Sequence, residues 1–193
     1  MKFDVPFSGL IPGTKGAVLA ALLRTGKPMT GRHVSSMVGD GHSLWAVQVA
    51  LKELVSIGLV KAETYGRSVL HRLNERHALV PSLRTMAQPV EVLGQVVRDA
   101  SDGAEAVILF GSIARGEAEA ASDVDLAVVA PAGWGGKSVL QEAIWNGLGN
   151  DCDVLVFTRD EYLDKAEAEP VVAAIKRDGI ALLGTMPRRR RAA

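Results

Sequence analysis

Cysteine is nearly absent: Cys152 is the only one in 193 residues, so no internal disulfide can brace the fold. Aromatic residues make up only 5% of the chain, and any core must be built mainly from Ala, Val, Leu and Ile. Long apolar runs are missing too. None approaches the ~18–20 residues that cross a bilayer, and Met1-Lys2-Phe3-Asp4 opens without a long apolar signal segment. Net charge is zero, with 22 Lys/Arg against 22 Asp/Glu. These absences argue against a membrane role and point to a cytoplasmic protein.

What is present is unevenly placed. Residues 1–76 hold ten Lys/Arg and five Asp/Glu, 10 − 5 = +5, and residues 77–193 hold twelve and seventeen, 12 − 17 = −5. A basic first part suits a polyanion, and an acidic second part suits metal ions. The length allows one medium domain or two small ones. The hydrophobic share of 48% and charged share of 23% are ordinary for globular chains.

The first part reads as helices followed by a hairpin. Residues 14–26 form a helix with Thr14 as N-cap and Val18, Leu19, Leu22 and Leu23 in one apolar stripe. Gly26-Lys27-Pro28 ends it. A short helix runs from Thr30, its cap, to Val38, with Val34, Met37 and Val38 inward. Gly39-Asp40-Gly41 is a turn. A third helix spans Ser43 to Ile57, with Val47, Leu51, Leu54 and Ile57 inward. Leu59 to Tyr65 and Val69 to Leu73 read as strands around Gly66-Arg67-Ser68.

This order resembles a winged helix-turn-helix. The resemblance implies a third helix in the DNA major groove and a hairpin against the backbone. Ser43, Trp45, Gln48 and Lys52 face outward on that helix. Gln48 can offer an amide to a base edge, Lys52 can neutralise a phosphate, and Arg67 sits at the hairpin tip. The DNA-binding candidates are therefore Ser43, Gln48, Lys52 and Arg67. Trp45 either stacks on DNA sugars or covers the core. A dimerisation or protein-docking module is the competing use of the same fold. Winged helices usually bind DNA as dimers, which makes a homodimer an expected arrangement, although no interface is legible.

Between the parts, residues 77–89 read as a linker. Leu83, Met86, Val90, Leu93, Val96 and Val97 give a loose helical pattern, with Pro81 at a first turn and a break at Pro89. The domains expected are 1–76 and 90–184. Residues 185–193, with Arg188 to Arg191, read as a basic disordered tail that could add non-specific phosphate affinity.

The chemistry lies further on. Glu105 to Phe110 reads as a buried strand, Gly111-Ser112 follows at once, and Ser112 to Gly116 can start a short helix. Asp123-Val124-Asp125 opens a second strand. Carboxylates at i and i+2 share a strand face, while Val124 and Leu126 turn to the core. Adjacent like charges are costly unless a cation joins them. Mg²⁺ is held by one or two carboxylates plus substrate phosphates. A glycine lets backbone approach a phosphate, and the Ser112 hydroxyl with the amides after it can accept an anion. The string thus suggests a triphosphate at Gly111 and Ser112 and metals at Asp123 and Asp125. Lys137, in Gly133-Trp134-Gly135-Gly136-Lys137, is within conceivable reach of a phosphate, but the spacing is not that of a P-loop.

Gly111-Ser112-Ile113-Ala114-Arg115-Gly116 with Ser122-Asp123-Val124-Asp125-Leu126 resembles the signature of the minimal nucleotidyltransferases of the DNA polymerase β superfamily. The resemblance covers about residues 90–184 and implies a third carboxylate on a neighbouring strand. Asp153, directly before an apolar run, is the better match in Asp151-Cys152-Asp153, with Asp151 as the alternative. Asp178 to Gly184 resembles the family's closing strand. Arg115 is either a triphosphate contact or a surface ion pair. The expected class is α/β (α+β): a winged helix-turn-helix, then a mixed nucleotidyltransferase sheet with flanking helices.

The expected activity is Mg²⁺-dependent transfer of a nucleoside monophosphate to an unidentified acceptor. Two Mg²⁺ ions would sit at Asp123, Asp125 and Asp153, with Asp153 as base or orienting group. The resemblance implies ATP, or another NTP, as donor and a HEPN-type protein as partner. The alternative is a DNA-binding transcriptional regulator whose second domain senses nucleotide or is inactive.

Overall fold

In the computed structural model, residues 1–119, 122–164 and 169–188 are described. The chain divides into two compact units, Val5–Pro89 and Met1–Asp4 with Val90–Ala193.

In the first unit, a 3-10 turn at Pro6–Gly9 leads into α1 (Gly13–Thr25), β1 (Met29–Thr30), α2 (Gly31–Val38) and α3 (Leu44–Ser56). The hairpin β2 (Val60–Tyr65) and β3 (Ser68–Leu73) follows, then α4 (Val80–Met86). The apolar stripes meet in one core of Leu19, Leu22, Val34, Val47, Leu51 and Leu54. Thr30 caps α2 by accepting from His33 N at 3.2 Å, and Ser43 caps α3 by accepting from Ala46 N at 3.2 Å. Each hydroxyl satisfies an amide that the first turn of a helix leaves unpaired. The three strands pair antiparallel in the order β1-β3-β2.

Several expectations change here. Thr14 does not cap α1; Pro12 holds that position, and the Thr14 hydroxyl lies 3.1 Å from His42 Nδ1. Ile57 is not inward but 58% exposed, because α3 ends at Ser56 and the chain turns away. The expected linker 77–89 carries α4, whose Val80 and Leu83 are buried in the first core. Phe7 is buried in that core as well, at a positive φ of 54° that no sequence pattern signalled.

In the second unit, α5 (Pro89–Ala100) precedes β4 (Ala106–Phe110), α6 (Gly111–Arg115), β5 (Val124–Val129) and α7 (Lys137–Leu148). The chain continues with β6 (Cys152–Phe157), α8 (Arg159–Asp164), α9 (Pro170–Asp178) and β7 (Ile180–Leu183). The sheet order is β6-β5-β4-β7, with β5 and β6 parallel and the other pairs antiparallel. Strand alternation sends Val107, Leu109, Val124, Leu126 and Val128 to one face, against Leu93 and Val97 of α5 and Leu140 and Ile144 of α7. Ala106, Ile108, Ala127 and Val129 face the other way, against Tyr162 of α8 and Val172 and Ile175 of α9. Covering both faces explains why β4 and β5 read as nearly continuous apolar runs.

The start of the chain departs from the expected 1–76 domain. Met1 and Phe3 pack on the second unit's core, and Asn150 Nδ2 donates to the Met1 carbonyl at 3.0 Å. At the other end, Met186 packs beside Ile175 and Pro187 is buried, so the described chain stays attached past residue 184. Arg189 to Arg191 of the expected tail lie outside the described residues. Among the described residues no helix is long and apolar enough to cross a membrane.

Candidate functional site

The site of the second unit forms where β4 ends and β5 and β6 begin. Parallel register places Asp125 level with Asp153, and antiparallel register places it level with Phe110, the residue before Gly111-Ser112. Val124 and Cys152, one step earlier, are buried on the α5/α7 face. Asp125 and Asp153 therefore share the opposite face, and Asp123 lies just before β5, outside the paired strand. Asp151 is held differently: its carbonyl accepts from Val124 N at 2.9 Å as the ladder begins.

The electrostatics follow from this crowding. The Asp125 carboxyl is pushed above the ordinary carboxylate range, first by burial, then by Asp153 and Asp123, with Arg115 opposing. Cys152 is pushed up to about 12 by burial and by the same three carboxylates, with Lys137 opposing. A thiol so disfavoured as thiolate is a packing residue, not a nucleophile.

Gly111 is shaped by Asp125. Its φ is +74°, and a Cβ there would lie 2.0 Å from Asp125 Oδ2. Only a residue without a side chain permits the acid to sit against the backbone at this turn. Ser112 follows, its Oγ donating to Ser122 Oγ at 3.3 Å, while Ser122 Oγ accepts from Glu119 N at 2.8 Å. Ser122 thereby ties the Gly111-Ser112 turn to the segment that delivers Asp123. Sequence reasoning gave Ser122 no role, although it stands inside the quoted motif. Gln141, whose Nε2 donates to the Cys152 carbonyl at 2.7 Å, was missed altogether, because its partner is set by tertiary packing. Arg115 pairs with Glu117, Nε to Oε2 2.7 Å, yet its charge still acts on Asp125.

Among the described residues, no three His, Cys, Asp or Glu side chains are gathered tightly enough to hold a metal ion by themselves.

In the first unit, Ser43 is exposed and its hydroxyl is engaged as the α3 cap. Gln48, Lys52 and Arg67 are exposed and line one cavity with the hairpin. Trp45 is 73% exposed and does not cover the core.

The second unit is thus of the α/β kind: a mixed sheet covered on both faces, with acids near the starts of β5 and β6 beside a glycine-serine turn. Residues 91–178 match the family model described as "Nucleotidyltransferase domain", and this segment is a nucleotidyltransferase domain. No curated protein matches the chain in sequence. Solved structures give weaker likenesses. One is a toxin–antitoxin with AMP-PNP, at 22% identity over 50% of this chain and 74% of that one, TM-score 0.38. Another is a mutant MntA–HpeT toxin–antitoxin, at 21% over 48% and 70%, TM-score 0.36. A third is a tri-AMPylated HEPN toxin from Shewanella oneidensis in complex with MNT antitoxin, at 21% over 51% and 72%, TM-score 0.34. At TM-scores this low the likenesses carry no functional weight.

Proposed function

We propose that the second unit transfers a nucleoside monophosphate, AMP from ATP, to an acceptor hydroxyl with Mg²⁺ as cofactor. The observation that carries this reading is the Asp125 carboxylate, level with Asp153, near Asp123, and seated against Gly111. Burial and the neighbouring charges of Asp153 and Asp123 raise the cost of ionising Asp125, a cost that a bound cation would remove. Asp123, Asp125 and Asp153 would hold the metal, which supplies Lewis-acid polarisation of the phosphates. Gly111 and the Ser112 hydroxyl cradle the triphosphate. Asp153, exposed on the edge strand β6, orients the acceptor or takes its proton. The acceptor oxygen forms a bond to the α-phosphorus as the bond to pyrophosphate breaks. Arg115, paired with Glu117, offsets charge near Asp125 and would meet a phosphate by exchanging partners. The choice of ATP follows from the resemblance of the motif, as does a HEPN-type protein as partner.

The test is labelled ATP and Mg²⁺ with candidate acceptors, HEPN-type proteins among them. Pyrophosphate release that appears with wild type and vanishes in Asp123→Ala/Asp125→Ala is the expected result. Equal release by both proteins would end the enzymatic reading.

The first unit supports a second role. Its order of helix, strand, two helices and hairpin fits a winged helix, and Gln48, Lys52 and Arg67 gather on one face. DNA contact through α3 and the hairpin fits that face. It would make the chain an enzyme that also binds DNA, or a regulator if transfer is absent. Binding to the region upstream of its own reading frame should fall steeply with salt; a flat salt response removes this role.

A further inference from the structure

The face that carries Gln48, Lys52 and Arg67 is concave, and that geometry points beyond DNA. A cavity of about 730 Å³ lies between α2, α3 and the β2–β3 hairpin. Its size falls within the range of small-molecule sites, ~300–1,000 Å³. Arg32, Lys52 and Arg67 line it, and no acidic residue does. None of the three cations has an ion pair among the described residues, whereas Lys15, Arg72 and Arg84 of the same unit are all paired with glutamates. Leu51, Val55 and Val69 give it apolar walls. His71 lines it too, its ring beside the Met29 backbone. A duplex backbone docks on rims and ridges. It cannot fill a recess between a helix and a hairpin, or reach apolar walls behind the cations.

We propose that this cavity binds a nucleoside phosphate, its phosphate held by Arg32, Lys52 and Arg67 and its base lying between the α3 and hairpin walls. Gln48 offers an amide to the base edge. The guanidinium forks suit a phosphate, and the apolar walls suit a planar ring. Gln48, Lys52 and Arg67 are also the proposed DNA contacts, so ligand and DNA would exclude one another. The ligand would thereby release the protein from DNA. Binding itself does not depend on the transfer reaction or on DNA recognition.

The experiment is calorimetric titration of AMP into the full chain carrying Asp123→Ala/Asp125→Ala, which silences the second unit's nucleotide site. Inorganic phosphate and a 5′-phosphorylated single-stranded oligonucleotide are titrated in parallel. AMP should bind saturably, more tightly than phosphate. Affinity should fall about tenfold or more in Lys52→Ala/Arg67→Ala, each lost contact being a charge-assisted hydrogen bond. Ala62→Trp, which leaves the three cations in place and fills the cavity from β2, should abolish AMP binding while thermal unfolding shows the chain still folded. AMP binding unchanged by both variants overturns the proposal. So does phosphate binding as tightly as AMP, oligonucleotide binding without AMP binding, or no AMP binding at all.

Discussion

The two polar regions of this chain handle charge in opposite ways. In the first unit, Arg32, Lys52 and Arg67 stand around a recess with no acid among its lining residues, and all three are exposed. In the second, sheet register sets Asp125 level with Asp153, Asp123 precedes the same strand, and Asp125 is partly buried. Exposed cations on long flexible stems repel one another weakly through water. Carboxylates fixed on adjacent strands, one of them partly desolvated, repel strongly enough to shift a protonation equilibrium. The first region can wait for an anion at little cost to the fold. The second costs stability while Asp125 is ionised, and the proposed metal would remove that cost.

The largest test of that contrast is removal of the acids. Asp123→Ala/Asp125→Ala should lower nucleotidyl transfer by about 10³-fold or more, since it deletes the groups proposed to hold the metal. Pyrophosphate release under saturating ATP and Mg²⁺ measures it, and a loss smaller than tenfold would place the chemistry elsewhere. Gly111→Ala probes the same site without touching an acid. A Cβ 2.0 Å from Asp125 Oδ2, at a φ of +74°, must displace the carboxylate or the turn. Displacement near 1 Å typically costs about 10²-fold in rate, with a stability penalty of about 1–3 kcal/mol for the strained backbone. Full activity in Gly111→Ala would show that the close approach has no part in catalysis.

The cationic side should respond more gently. Lys52→Ala/Arg67→Ala is expected to weaken DNA binding about tenfold and to reduce the slope of log affinity against log salt by about one per cation removed. Titrations at several salt concentrations read both quantities. An unchanged slope with lower affinity would mean that these residues act through the shape of the recess and not through phosphate charge.

Much of the second unit's site was legible in sequence because its geometry is local. Strand period sets Asp125 opposite to Val124 and Leu126, Gly111-Ser112 sits at the end of an apolar run, and Asp123, expected on the strand, precedes it. Whether Asp151 or Asp153 lies level with Asp125 was not legible. That depends on parallel register between two strands separated in sequence by the whole of α7, from Val124↔Cys152 at one end to Val129↔Phe157 at the other, and only the ladder sets it. The helices of the first unit followed largely from period, with Thr30 capping as its side chain favours, whereas Thr14 does not cap α1 and the capping role of Ser43 appears only in the structure. Its boundaries did not. Val80 and Leu83 look like any apolar residues in a loose pattern, and only packing shows which core receives them. Met1 and Phe3 carry no local signal at all, and their attachment depends on Asn150. Arg32 was overlooked because a cation on a short helix means little until the hairpin closes a recess beside it.

The smallest expected effect separates the two regions most cleanly, because it concerns stability and not turnover. Asp125 ionises less readily in the folded chain than when unfolded, owing to burial and to Asp153 and Asp123. The folded state therefore holds the proton more tightly, and the ionised carboxylate subtracts from stability at neutral pH. Asp125→Asn should consequently be more stable than wild type at pH 7 without metal, by about 1 kcal/mol or less given the site's partial exposure to solvent. As pH falls through the raised folded value, wild type takes up its proton and the gap closes. Mg²⁺ with nucleotide should close it from the other direction, by stabilising wild type and not the variant. Thermal unfolding of both proteins across pH 4–8, with and without Mg²⁺-ATP, reads this directly. A variant that melts below wild type at pH 7, or a gap that widens toward acid, would mean that Asp125 is held by favourable contacts. The contrast between a waiting cationic recess and a strained acidic site would then fail at its central residue.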